Sequence, residues 1–219
     1  SVDISGGGKV GGLAGQIDGT VTNAYTTGAV SGGSQHVAGL TGRSYGSVSD
    51  AYSTATVDSS SGYVGGLIGR NYGSVDTSFA TGDVDASGFQ IGGLVGENKD
   101  SGSSITDSYA TGDVTAGGSQ IGGLVGWNEG GSVDTSYSTG SVSGDDYVGG
   151  LVGRGSGVSD SYWDTDSSSV SSSNGGTGLT TDEMQGSSAE SEMDGFDFSS
   201  IWETVENSEG DTTGDGYPI

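Results

Sequence analysis

The chain has 219 residues, with five Lys or Arg against 29 Asp or Glu for a formal net charge of −24; it holds 47 glycines, one proline, one histidine and no cysteine. No apolar run approaches the ~18 residues of a membrane span, the lack of cysteine excludes disulfide frameworks and thiolate metal sites, and the charge repels nucleic acid and anionic lipid. So little hydrophobicity beside so much net charge reads as disorder unless the sequence repeats itself, and it does.

An apolar-Gly-Gly-Leu-like block recurs at Leu13, Leu40, Leu67, Leu94, Leu124 and Leu151, at steps of 27, 27, 27, 30 and 27 residues. Val21, Val48, Val75, Ile105, Val133 and Val158 form a second ladder. Four residues further on come Tyr25, Tyr52, Phe79, Tyr109, Tyr137 and Tyr162, and a last apolar ladder runs Val30, Val57, Val84, Val114 and Val142. Length changes fall in Gly/Ser/Asp/Asn stretches, around Asn98–Ser104 and Gly144–Asp146, as expected of loops on a stacked array. Runs such as Ser74–Thr81 are rich in the β-branched and aromatic residues that suit strands, and glycine pairs interrupt any helical pattern. A 27-residue unit cannot bury its own apolar face, but stacking sets like on like. The expectation is all-β: a parallel β-solenoid (β-helix) of about six coils over 1–163, some 29 Å long at the ~4.8 Å inter-strand spacing.

The residues leave two orientations open for the aromatic ladder. Strict alternation puts Val75, Thr77 and Phe79 on one face. Small neighbours on both sides of each aromatic instead suit the interior, with the ring outside. That arrangement requires a bend at Asn23, Asp50, Thr77, Asp107, Thr135 and Asp160, most of which favour turns.

The unit Val64-Gly65-Gly66-Leu67-Ile68-Gly69-Arg70-Asn71-Tyr72-Gly73-Ser74-Val75, followed by Ser78-Phe79-Ala80-Thr81-Gly82-Asp83-Val84, resembles the GLUG repeat, named for its Gly-Leu-any-Gly core. All six units carry Gly-Leu-x-Gly, and the resemblance covers roughly 9–163. It implies a secreted or surface-exposed, adhesin-like β-solenoid of the kind found in large bacterial and archaeal surface proteins, and it supplies no catalytic residues. The following stretch, through Tyr162-Trp163-Asp164, Gly175–Thr181 and Trp202, also resembles the tail that closes such arrays.

Beyond Trp163 the period stops, and 164–219 reads as a capping segment. Ser167–Gly178 looks linker-like. Thr180-Thr181-Asp182-Glu183 has capping-box spacing, which predicts a short helix around 181–185. Met184, Met193, Phe196, Phe198, Ile201 and Trp202 are expected to fold onto the last coils and shield an unpaired edge; a docking surface for another subunit is the alternative. The chain starts at Ser1 without an initiator Met and reads as a processed chain or a piece of a longer protein.

Candidate sites are few. His36, the one histidine, stands at a variable position and is read as a surface side chain, which argues against a Ser-His-Asp triad or a transition-metal site. Ca²⁺ or Mg²⁺ takes oxygen ligands, and the candidates are Asp83 and Asp113, at equivalent places in adjacent coils, with Asp85 and Asp145-Asp146 on nearby loops. The competing reading is a solvated acidic surface. Asp164-x-Asp166-x-Ser168 opens like an EF-hand loop but lacks its glycine and terminal Glu. Arg43, Arg70 and Arg154 recur after the Gly-Leu-x-Gly core, where other units have Gln16, Glu97 and Trp127, which suggests a surface or structural role. Tyr45, Tyr72 and Trp127 are candidate surface-binding residues.

Acidity with only two lysines suggests a salt-loving source, an archaeon or its virus, because carboxylates keep such a protein hydrated when salt screens other charges. The functional expectation is an extracellular attachment module on a cell or virion surface. It would bind surface glycans or glycoproteins, without nucleic acid or membrane insertion and without catalysis. The alternatives are a virion-fibre or filament subunit that binds copies of itself, and a polysaccharide-degrading enzyme.

Overall fold

The computed structural model describes residues 2–204 and 216–219. Six coils stack in register; the first five each pass through five short strands, and the sixth through four, with Val158 bridging to Val133 in place of the fourth. In the third coil these are Thr56–Ser59, Val64–Gly65, Ile68–Asn71, Ser74–Asp76 and Phe79–Ala80, which lie in the first to fifth sheets respectively. Every pairing between these strands is parallel, and equivalent residues face each other: Val57 on Val84, Val64 on Ile91, Ile68 on Val95, Val75 on Ile105, Phe79 on Tyr109. The leucines stack as their spacing predicts. Leu13, Leu40, Leu67, Leu94 and Leu124 each donate a backbone N–H to the carbonyl of the next leucine, at 2.9–3.0 Å.

The interior is two thin cores. One holds Leu40, Leu67, Leu94, Leu124 and Leu151 with Val48, Val75, Ile105 and Val133; the other holds Val30, Val57, Val84, Val114 and Val142 with Val37, Val64, Ile91 and Ile121. The glycine pair, Ala38-Gly39 in the second unit, runs between adjacent coils with little room for a side chain. A Cβ on Gly93 would stand 2.1 Å from the carbonyl oxygen of Gly123.

Polar ladders run beside the apolar ones. Asn71 Nδ2 donates to Asn98 Oδ1 and Asn98 Nδ2 to Asn128 Oδ1, each at 2.9 Å, all three side chains being buried. Ser78, Ser108, Ser136 and Ser161 accept the backbone N–H of the coil before them at 3.1–3.2 Å. A buried amide or hydroxyl costs little when each hydrogen-bonding group has a partner, so these ladders hold register where apolar residues are scarce.

The aromatic ladder points outward. The bend lies where expected, with Asn23, Asp50, Thr77, Asp107, Thr135 and Asp160 all at φ between 36° and 51°. It turns the following small residue inward and the ring out. Tyr25, Tyr52, Phe79, Tyr109 and Tyr137 stack face to face at 4.8–5.2 Å, with planes within 10°.

The cap differs from expectation in three ways. Ser167–Gly178 is not a linker but most of a further half-coil. Val142 and Gly150 donate backbone N–H to the carbonyls of Ser168 and Ser172, Asn174 N–H donates to that of Val152, and Thr177–Leu179 pairs with Tyr162–Asp164. Val170 from this segment packs against both cores. The aromatic cluster folds onto the last coils as expected, but on their flank rather than over the coil end: Trp202, Phe196, Met184 and Met193 cover Tyr137 and Tyr162. The helix is Gly186–Glu192, not 181–185. Thr180 and Glu183 do form a capping box, Thr180 N–H donating to Glu183 Oε2 at 2.8 Å and Glu183 N–H to Thr180 Oγ1 at 3.3 Å. Only one turn follows, because Gly186 at φ 52° breaks the chain direction before the helix proper. Residues 205–215 of the capping segment lie outside the described residues.

A cation–aromatic face on an acidic rod

The outward positions of the third sheet form one column: Gln16, Arg43, Arg70, Glu97, Trp127 and Arg154. Lys9, His36, Tyr63 and Gln90, just ahead of their second-sheet strands, form another with Gln120 and Tyr147, which lie within theirs. The last glycine of Gly-Leu-x-Gly brings the columns together. A Cβ on Gly69 would lie 2.6 Å from the Tyr63 carbonyl oxygen, and one on Gly42 2.5 Å from that of His36. With only hydrogen there, the two stretches of chain close up, and side chains seven residues apart become neighbours. A second αL bend assists, with His36, Tyr63, Gln90, Gln120 and Tyr147 at φ between 50° and 69°.

The neighbours are matched along the rod. Lys9 Nζ donates to Gln16 Oε1 at 2.6 Å, and Arg43 Nη2 lies 2.8 Å from His36 Nε2. Since a guanidinium only donates, that Nε2 is the unprotonated acceptor. The Arg70 guanidinium carbon lies 4.7 Å from the Tyr63 ring centre, and that of Arg154 lies 5.4 Å from Tyr147 and 5.3 Å from Trp127. Lys99, on the same sheet, sits over Trp127 at 5.8 Å and pairs with Glu129. Tyr45 and Tyr72 follow the third-sheet strands and stack at 4.6 Å within reach of Arg43. All five Lys and Arg of the chain therefore stand on one face, interleaved with the three candidate surface-binding aromatics.

Burial is the largest cause of displacement for two titratable groups in this face. Glu97 is fully buried and paired with Arg70; burial pushes its carboxyl up to about 7, against the opposing pull of Arg70. His36 is not a surface side chain: 7% of it is exposed, and its ring stacks on Tyr63 at 4.8 Å. Burial first, and then the charges of Arg43 and Arg70, lower its pKa to about 4. Sequence reasoning missed this because the position varies among Lys, Tyr, Gln and His; the shared property is backbone geometry.

The acidic candidates lie elsewhere. Asp83 and Asp113 do occupy adjacent coils, but their carboxylates serve the backbone: Asp83 Oδ1 accepts Asp113 N–H at 3.0 Å and Asp113 Oδ1 accepts Ser141 N–H at 2.8 Å. Asp145 and Asp146 are exposed, and Asp146 opens the strand Asp146–Gly149 while Asp85 lies within Val84–Ala86, so neither of these two is on a loop. Among the described residues no group of three or more His, Cys, Asp or Glu side chains comes together as a metal site. Asp164 closes a turn, Oδ1 accepting from Asp166 and Ser167 N–H at 2.8 and 3.1 Å, and Oδ2 from Thr181 and Tyr217 hydroxyls. These hydrogen bonds hold its pKa down in spite of burial.

Comparison with known proteins identifies the repeat. Residues 60–85, 87–115 and 117–143 match the family model described as the GLUG motif, so the chain carries GLUG repeats. The chain is similar to halomucin of the archaeon Haloquadratum walsbyi, at 38% identity over 40% of this chain and 1% of halomucin. It therefore spans only a small fraction of that curated relative. No solved structure matches. Among the described residues no helix is long and apolar enough to cross a membrane.

Proposed function

We propose that this chain is an extracellular attachment module, and that the face bearing the third sheet holds surface glycans or glycoproteins. The observation that supports it most is the gathering of all five cationic side chains on one side of a chain with 29 acidic residues. Charges placed without a task would scatter over five sheets. Here they share one face with Tyr45, Tyr72, Tyr147 and Trp127, and Tyr45 and Tyr147 are about half exposed. Rings fixed by stacking, beside donors fixed by rings, give a preorganised surface that loses little side-chain entropy on binding. A GLUG-repeat rod similar to part of a halomucin fits a location outside the cell. The reading assigns no catalytic residue, since the carboxylates of Asp83 and Asp113 are engaged in coil-to-coil hydrogen bonds.

The test is retention of the purified chain on isolated cell-surface polysaccharide and glycoprotein layers. Replacing Tyr45, Tyr72 and Trp127 together by Ser should weaken retention, whereas Tyr25→Ser on the fifth sheet should not. Undiminished retention of the triple variant would refute the assigned face.

A second reading rests on the fifth sheet. Tyr25 is 64% exposed, and Tyr52 and Phe79 are partly so. A second copy would cover this aromatic flank in a fibre. Light scattering that shows monomers at high protein concentration would dismiss it.

A further inference from the structure

We infer that the ligand of the cation–aromatic face is an anionic glycan, gripped through its carboxylate or sulfate groups by Arg43 and Arg154; this rests on the attachment reading above. Carboxylates outnumber bases 29 to 5 in this chain, so a base that meets no carboxylate requires a reason. Arg70 and Lys99 are in direct contact with Glu97 and Glu129. Among the described residues Lys9 meets only the Gln16 amide, and the two arginines Arg43 and Arg154 pair with no carboxylate. Both are nevertheless held in place. Arg43 donates from Nη1 to Tyr45 Oη at 3.1 Å and from Nη2 to the neutral His36 ring at 2.8 Å. Arg154 lies between the rings of Trp127 and Tyr147. Neutral partners orient a guanidinium without consuming its charge, leaving a planar fork suited to bidentate contact with an oxyanion.

The geometry sets the class of ligand. Arg43 belongs to the second coil and Arg154 to the sixth, so about 19 Å separates them at the inter-strand spacing. A molecule that touches both is a polymer. It is repelled by the other, acidic sides and so meets the rod on this face alone. Hydroxyl groups of such a polymer find partners in the phenols of Tyr45 and Tyr147 on the same face. Short-range bidentate hydrogen bonds persist in molar salt, where the ~3 Å Debye length removes long-range attraction, which accounts for arginine rather than lysine at both positions.

The experiment compares binding of the intact chain to dextran, dextran sulfate and a polyuronate of matched length, in molar NaCl. Dextran sulfate or polyuronate should bind at least about tenfold more tightly than dextran, and R43Q/R154Q should lose that margin while keeping its melting temperature. Arg154 is exposed, so R154Q alone decides the matter if R43Q disturbs the fold. Equal affinity for neutral and anionic polymers, or a preference that survives in R43Q/R154Q, would overturn this inference and leave attachment standing. Tighter binding to a polyphosphate nucleic acid than to either anionic glycan, or a change in oligomeric state in R43Q/R154Q, would also overturn it. Binding to none of the glycans and to no surface layer would bring down the attachment reading itself.

Discussion

Glu97 and His36 make opposite demands on pH, and this can be read out as folding stability. The Glu97 carboxyl is raised from an ordinary 4.5 to about 7, so between those values the folded chain binds a proton that the unfolded chain releases. Stability from this group is greatest at low pH and is lost as pH rises from about 4.5 to about 7, by about 3 kcal/mol. His36 is lowered from 6.5 to about 4. Its unfolded form takes up a proton that the folded form refuses, so stability is present above pH 6.5 and is lost on acidification towards 4, again by about 3 kcal/mol. In the wild type the two nearly cancel across pH 6.5 to 4.5. Single variants should separate them. Gln occupies the position of His36 in two other coils, as Gln90 and Gln120, and the position of Glu97 in the first, as Gln16. H36Q should therefore gain stability from pH 7 to 4.5, and E97Q should lose it from 6.5 to 4. Both are measured by denaturant unfolding at fixed high salt, with H36Q/E97Q as the baseline for the remaining carboxylates. Curves for the two single variants that run parallel to each other would refute the assigned burial of these groups.

Gly93→Ala drives a Cβ to 2.1 Å from the Gly123 carbonyl oxygen and should cost about 3 kcal/mol or more, whereas Gly102→Ala, with nothing within 4 Å, should stay within about 0.5 kcal/mol in the same denaturation assay. Thr77 holds φ 45°, a region that disfavours β-branched side chains, and its equivalent in the first coil is Asn23. Thr77→Asn should raise stability by up to about 1 kcal/mol in a thermal melt. With a net charge of −24 on a thin rod, the melting temperature should climb steeply between 0.1 M and 3 M NaCl as repulsion is screened, and a flat profile would remove charge repulsion as the limit on stability.

The solenoid was legible because leucines recurring at steps of 27, with one of 30, and small residues beside each aromatic have one common explanation, a narrow stacked interior. Four of the six bend residues announced themselves as Asn or Asp; Thr77 and Thr135 did so only through their equivalence to them. The second bend could not be read, since His36, Tyr63, Gln90, Gln120 and Tyr147 share a dihedral angle and no chemistry. The half-coil after Trp163 was hidden for a related reason: it closes the end through backbone groups and Ser173, and only Val170 enters the cores. Arg43, Arg70 and Arg154 were visible as a recurrence. Lys9, at a different place in its coil, and Lys99, two residues past Glu97, join them only once the register is known. The asparagine ladder stood in the sequence as Asn71, Asn98 and Asn128, but its meaning depends on those side chains pointing inward.

The measurement that tests the account most directly is hydroxyl-radical footprinting of the chain alone and bound to its surface layer. Attachment through the third-sheet face predicts that oxidation of Tyr45, Tyr147 and Trp127 falls several-fold on binding while the exposed Tyr25, on the fifth sheet, is oxidised as before. Protection of Tyr25 with Tyr45, Tyr147 and Trp127 left unprotected would contradict it.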